Sequence, residues 1–159
     1  MLMKNYQQKA VETKSPQREF NPAPVSEYMT PLEKLFTFHP DTEIVTAVDV
    51  LLENQIAGAP VLNDKMELVG LIDDKDCLKV LFDIAYHNQP VLSSTVADYM
   101  TSVMKTIPIH ANIVEVADTF LHTKYKRLLV VDDKGKLRGQ ISRQDILRAI
   151  HDFNARANK

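Results

Sequence analysis

The sequence repeats itself once. Residues 44–79 and 113–148 follow one pattern at a constant offset of 69 residues, which also relates Gly70 to Gly139 and Asp76 to Asp145. Direct comparison finds 12 identical positions among the 36, mostly apolar residues together with this glycine and this aspartate. Such a period marks a structural unit that needs a neighbour to bury its apolar face. A single unit of about 60 residues would bury only about 60% of its unfolded surface. The two copies are therefore expected to pack on each other about a pseudo-twofold axis. The cleft between them is the expected place of function.

The repeat extends upstream with one irregularity. Val25-Ser-Glu-Tyr-Met-Thr resembles Val96-Ala-Asp-Tyr-Met-Thr, but at an offset of 71, so the first copy carries two extra residues between Met29 and Ile44. In each copy a short helix with Tyr-Met precedes a short strand, at Thr37-Phe38 and at Thr106-Ile107. An amphipathic helix follows, with Ile44, Val48, Leu51 and Leu52 on one face of the first and Ile113, Ala117, Phe120 and Leu121 on one face of the second. Asp41-Thr42 and Asn112 are placed to cap it. Two apolar runs joined by Asn63–Glu67 or Asp132–Lys136 read as hairpins. A last helix starts near Asp74 and near Arg143. The expected fold class is α+β, two tandem β-α-β-β-α repeats packed with pseudo-twofold symmetry. The expected division is an N-terminal tail 1–24, a first repeat 25–86, a second repeat 95–153 and a C-terminal tail 154–159. The N-terminal segment is polar and weakly periodic, which suits a mobile tail or, alternatively, a helix that docks on a partner.

Composition narrows the function. A net charge of −2 gives no global field toward nucleic acid or anionic lipid. One cysteine excludes a disulfide framework and a cysteine-rich zinc site. No leader-like apolar segment opens the chain, and no run approaches the ~18 apolar residues of a membrane span, so a cytoplasmic location is expected. With four glycines in all, no Gly-x-x-x-x-Gly-Lys-Ser/Thr phosphate loop is present. The five histidines show no metal-ligand spacing. No nucleophile has a recognisable base partner, so the chain is expected not to be an enzyme.

The sharpest local signal is Gly139-Gln-Ile-Ser142-Arg-Gln-Asp145 and its twin Gly70-Leu-Ile-Asp73-Asp-Lys-Asp76. Taken alone, Ser142 with Asp145 reads as a capping box for the last helix. Asp73 caps in the same way, and Asp76 suits the positive helix end.

Together with the duplicated Met-Thr opening and the run Lys126-Arg-Leu-Leu-Val-Val-Asp132, this ending resembles the CBS domain, and specifically a tandem CBS pair, over residues 25–153. The resemblance implies cleft sites for an adenosine-containing ligand such as AMP, ADP, ATP or S-adenosylmethionine, bound as an effector with no cofactor required. It implies a homodimer whose output reaches a separate, unidentified effector protein. A carboxylate is an acceptor able to take both hydroxyls of a ribose, and Asp145 is the candidate for that role. Ser142 lies one helical turn away, at a helix start that favours an anion. By resemblance, the adenine would lie along Thr106, Ile107 and Pro108 between Val130 and Ile141. Arg127 is the family-like phosphate ligand, with Lys126 and Arg143 as further cations. At the corresponding places the first copy has Ala57, Gly58 and Asp74, and Asp73 replaces the serine. Two unequal sites are thus expected, a nucleotide-competent one on Ser142 and Asp145 and one on Asp73 and Asp76 that is degraded, empty or suited to a neutral or cationic group. Lys126 and Arg127 serve either the site of their own copy or, across the axis, the other. The rival reading is a dimeric interaction scaffold whose sites bind nothing.

Overall fold

The computed structural model describes residues 20–88, 93–102 and 105–159. The expected N-terminal tail falls outside them up to residue 19, and the connection between the copies falls outside them at 89–92. After a 3-10 turn at Val25–Glu27 come strand β1 (Thr30–Pro31), helix α1 (Ile44–Glu53), strands β2 (Gly58–Leu62) and β3 (Leu68–Asp73), and helix α2 (Asp74–Tyr86). The second copy supplies helix α3 (Val96–Tyr99), strand β4 (Thr106–Pro108), helix α4 (Ile113–His122), strands β5 (Arg127–Val131) and β6 (Leu137–Ser142), and helix α5 (Arg143–Ala157). Helix α5 thus runs on through residues expected as a tail.

One sheet has the order β1-β6-β5-β4, and the other is the β2-β3 hairpin. Single bridges complete the second to the same plan: Phe38 lies parallel to Val61, and Thr101 lies antiparallel to Leu71. The strand expected at Thr37-Phe38 is therefore one bridge, with Phe38 N donating to Pro60 O at 3.0 Å. The Met-Thr openings are exchanged. Thr30 of the first copy pairs with Gln140 of the second, and Thr101 of the second pairs with Leu71 of the first. Strand β1 was not foreseen from the sequence, because a two-residue strand has no period to detect.

The duplicated glycine explains the exchange. A Cβ on Gly139 would lie 2.5 Å from Thr30 O and 2.8 Å from Met29 Sδ; one on Gly70 would lie 2.5 Å from Met100 Sδ. Each glycine leaves room for the opening segment of the other copy to cross its hairpin. The crossing also completes helix ends. Ile44 N, at the start of α1, donates to Ser94 O at 3.0 Å, and Ile113 N, at the start of α4, donates to Ala23 O at 3.0 Å. Asp41 and Thr42 therefore do not cap α1, whose first residue is served by backbone instead. Asn112 does cap α4, its Oδ1 accepting from Val114 N and Glu115 N.

The cores are mixed accordingly. Val25 is buried among Ile107, Ala111, Val116, Phe120, Leu128, Val130, Ile141 and Ile146 of the second copy. Val96 and Tyr99 are buried among Phe38, Ile44, Ala47, Leu51, Val61 and Ile72 of the first. A third cluster of Leu62, Leu129 and Leu137 joins the hairpins. The buried helix stripes keep Ile44, Leu51 and Phe120 of the expected ones and differ at their margins. Ile44, Ala47 and Leu51 face inward on α1, and Val116 and Phe120 on α4. Leu52 and Leu121, expected inside, are 72% and 82% exposed.

Two hydrogen bonds tie the openings to the last helices. Tyr28 Oη donates to Asp152 Oδ2 at 2.9 Å, and Tyr99 Oη donates to Asp83 Oδ2 at 2.6 Å. Burial first, and these bonds second, raise the pKa of both phenols above the ordinary 10.0. The unfolded chain then loses these protons before the folded one. The stability they contribute is complete below about pH 10 and is lost as pH rises through the raised folded values.

Two outcomes are expected. Gly139→Ala should destabilise by about 2–3 kcal/mol, because the obstacle is backbone, and Gly70→Ala by about 1 kcal/mol, because Met100 can turn aside; urea-unfolding midpoints measure both. The double variant Tyr28→Phe, Tyr99→Phe should lose about 1 kcal/mol per bond at neutral pH. Its stability should fall less steeply than that of the parent above about pH 10, as urea titrations across that range would record.

Candidate functional site

Helices α2 and α5 begin with the same device. Asp73 Oδ1 accepts from Asp76 N at 2.8 Å, and Asp76 Oδ2 accepts from Asp73 N at 3.1 Å. Ser142 Oγ accepts from Asp145 N at 3.3 Å, and Asp145 Oδ2 accepts from Ser142 N at 2.8 Å. Both are reciprocal capping boxes, as the Ser142–Asp145 spacing indicates.

The second carboxylate oxygens differ. Asp145 Oδ1 is 2.8 Å from Arg148 Nη2, and the same nitrogen donates to Tyr28 O at 3.3 Å. Both Asp145 oxygens are thus engaged within the protein. Asp76 Oδ1 has looser partners, Thr101 Oγ1 at 3.3 Å and Lys79 Nζ at 3.5 Å. Asp76 and Asp145 are the two buried charged residues among those described, each held by backbone donors.

Arg127 lies across the axis, in one of the two placements the sequence left open. Ladder pairing sets it opposite Ser142 of its own copy. Its guanidinium nevertheless extends across the axis, Nη1 donating to Gly58 O at 3.4 Å. Gly58 is its own counterpart in the first copy, 69 residues earlier, and has no side chain to oppose it. Two adjoining cavities result. The larger, of about 380 Å³, is bordered by Asp74, Lys75, Lys124 and Lys126. The smaller, of about 170 Å³, is bordered by Asp76, Thr101, Lys105 and Leu129. Leu71, Asp73, Tyr125 and Arg127 line both. Five cations and three carboxylates therefore surround one cleft at the start of α2. Neither cavity is lined by Ser142 or Asp145.

The remaining candidates fall elsewhere. Val130 and Ile141, expected to sandwich the base, have their side chains buried in the core of the second copy, as does Ile107 of the strand expected beside it. The reason is strand alternation: neighbours on a strand point to opposite faces. On β5 the cleft side is the expected Arg127 together with Leu129, one residue from the expected Val130, and on β3 it is Leu71 and Asp73. Thr106 and Pro108 lie on the edge strand β4 and border neither cavity. Arg143 Nη2 donates to Tyr125 O at 3.1 Å, bracing the segment that carries Tyr125, Lys126 and Arg127. Lys75, Lys105, Lys124, Tyr125, Leu71 and Thr101 were missed. The offset of 71 for the openings against 69 for the hairpins held a signal only for a reader who knew that the openings cross over. Among the described residues no group of three or more possible metal ligands occurs, and no helix is long and apolar enough to cross a membrane.

Two β-α-β-β-α copies that exchange their openings and share a charged cleft define a tandem-repeat module. The chain belongs to the CBS domain family, whose model matches residues 25–83 and 96–152. Two chloroplastic CBS domain-containing proteins of Arabidopsis thaliana are similar. CBSX1 is 35% identical over 148 residues, which cover 79% of this chain and 63% of that protein. CBSX2 is 32% identical over 149 residues, covering 79% and 62%. The chain thus spans about three-fifths of the length of these relatives. The crystal structure of CBSX2 in complex with AMP matches with a TM-score of 0.74 at 32% identity, covering 83% of this chain and 98% of that one.

Proposed function

We propose that this chain is a non-enzymatic regulatory module that binds an adenosine-containing nucleotide in the cleft between its CBS repeats and passes the bound state to a separate partner. The observation that carries the reading is Arg127, which leaves its own repeat to line both cavities with Asp73, and the smaller one with Asp76 as well. A ligand there touches both repeats, so it favours whichever relative packing binds it better. Asp76 takes the ribose hydroxyls, Tyr125 and the leucines face the base, and Arg127 with Lys126 takes the phosphate. This moves the nucleotide from the Ser142–Asp145 end, where Arg148 already fills the acceptor, to the Asp73–Asp76 end. The AMP complex of the relative CBSX2 supports the ligand class. A cytoplasmic setting remains part of the proposal.

The homodimer belongs to it as well. Leu52, Leu78 and Leu81 on α1 and α2, and Leu121, Leu147 and Ile150 on α4 and α5, are all exposed large apolar residues. Two such faces on one chain fit a second copy.

Saturation with AMP at about 100 times its dissociation constant should stabilise the protein by about 2.7 kcal/mol, a rise in Tm of about 5–10 °C for a chain of this size. Arg127→Ala should weaken binding about tenfold, a loss of about 1.4 kcal/mol. Asp145→Asn should lower basal stability by about 1–3 kcal/mol and leave the affinity nearly unchanged. A parent protein that answers no adenosine compound would favour the non-binding scaffold. For the dimer, sedimentation should give twice the chain mass, and Leu81→Asp combined with Leu147→Asp should give a monomer.

A further inference from the structure

Helix α2 carries apolar residues on every side. Cys77 and Val80 turn toward the first core, and Leu78 and Leu81 lie on the exposed face offered to a second copy. Phe82 and Tyr86 belong to neither group. They are 62% and 75% exposed, and their rings lie against each other with centroids 5.6 Å apart. A helix that is apolar all round is one that becomes covered.

The repeat separates this aromatic pair from the face that suits a second copy. Each exposed large apolar residue on α4 and α5, Leu121, Leu147 and Ile150 among them, has an apolar counterpart 69 residues earlier on α1 or α2, here Leu52, Leu78 and Leu81. The counterparts of Phe82 and Tyr86 are His151 and Ala155. The duplicated face thus serves both halves alike, and the aromatic pair is an addition on α2 alone. Phe82 stands about 100° round the helix from Leu81. It belongs to a separate stripe, Lys75, Lys79, Phe82 and Tyr86, at the i, i+4, i+7, i+11 spacing of one helix face. Lys75 is exposed, and Lys79 is 63% exposed with a long contact of 3.5 Å to Asp76. The stripe holds two cations and no carboxylate, so two copies of it laid together supply no counter-charge. Lys75 also borders the larger cavity, so the stripe runs outward from the cleft.

We propose that the stripe Lys75, Lys79, Phe82 and Tyr86 is the docking surface for a separate protein, which lays on it an amphipathic helix with apolar side chains for the two rings and carboxylates for the two lysines. The inference rests on the reading that the chain signals to a separate protein, and adds the surface and the chemistry of that partner. Exposed aromatic rings supply the anchor, as at the centres of protein interfaces. The lysines at the start of α2 and the rings toward its end fix the direction in which the partner helix lies.

A phage-displayed library of random peptides, panned against the full chain without nucleotide, tests it. The enriched peptides should combine apolar residues at helical spacing with Asp or Glu, and are then synthesised and titrated by fluorescence anisotropy. Phe82→Ser combined with Tyr86→Ser should weaken their binding at least about tenfold, and Lys75→Glu combined with Lys79→Glu should do the same. Exchanging the acids of the peptide for lysine should restore binding to the glutamate variant. Sedimentation of the serine variant should give the same mass as the parent. Enriched peptides that bind the parent and both variants equally overturn the proposal, as does a library that yields no enrichment. A serine variant that loses the oligomeric state of the parent overturns it too, by placing the rings in the contact between copies. Binding of the chain to phosphatidylserine vesicles in place of any peptide overturns it in favour of a lipid surface. A chain that ignores AMP yet binds these peptides overturns the nucleotide reading and leaves the docking surface standing.

Discussion

Everything distinctive in this molecule follows from two backbone crossings. The Met-Thr opening of each copy lies over the hairpin of the other, and each crossing is possible because a glycine stands beneath it. A small β-α-β-β-α unit lacks the apolar area to stand alone. Exchange of the openings mends this in a particular way. Val25 goes into the second core and Val96 into the first, so neither core is complete without residues from the other copy. The two halves then fold as one body, and the cleft between them is enforced by connectivity as well as by side-chain packing.

The same crossing sets the chemistry of the cleft. Thr101 arrives over β3 on the second opening and places its hydroxyl beside Asp76. Arg127 arrives from β5 over Gly58. The acid side of the cleft thus comes from the first copy, and most of its cations come from the second. Duplication gave two equivalent ends; substitution then made them unlike. At one end Gly58 leaves room for an arginine and Asp76 keeps loose partners. At the other, Arg148 closes on Asp145 and ties it to the carbonyl of Tyr28. That end is satisfied internally and contributes stiffness.

The repeat, the hairpins, the capping boxes and the family were legible in the sequence, because each is a local signal or a pattern of spacing. The glycine–aspartate spacing in particular carries both a cap and a crossing. What stayed hidden was relative placement. Val130 was read as facing a ligand because the apolar run of β5 does not fix its phase, whereas the alternation of Arg138, Gln140 and Ser142 on β6 does turn Ile141 inward. Leu52 and Leu121 were read as core because an apolar residue one step around a helix fits the same periodic stripe. Lys105 and Lys124 gave no signal, since a lysine gains meaning here only from the carboxylate that the fold brings opposite to it.

Capping and binding are often treated as rival explanations of a Ser/Asp-x-x-Asp ending. The geometry argues that they reinforce each other. A capping box holds the acid at its third position with one oxygen on a backbone N–H and leaves the other oxygen directed away from the helix. The helix start therefore presents a fixed acceptor at low cost in side-chain entropy, whether or not anything binds. The two boxes differ in the partner of that second oxygen: an ion pair at 2.8 Å for Asp145, and two long contacts of 3.3 and 3.5 Å for Asp76. A ligand hydroxyl can displace the weaker pair. To displace the stronger it would have to break the shorter charge-assisted bond, whose arginine is largely exposed.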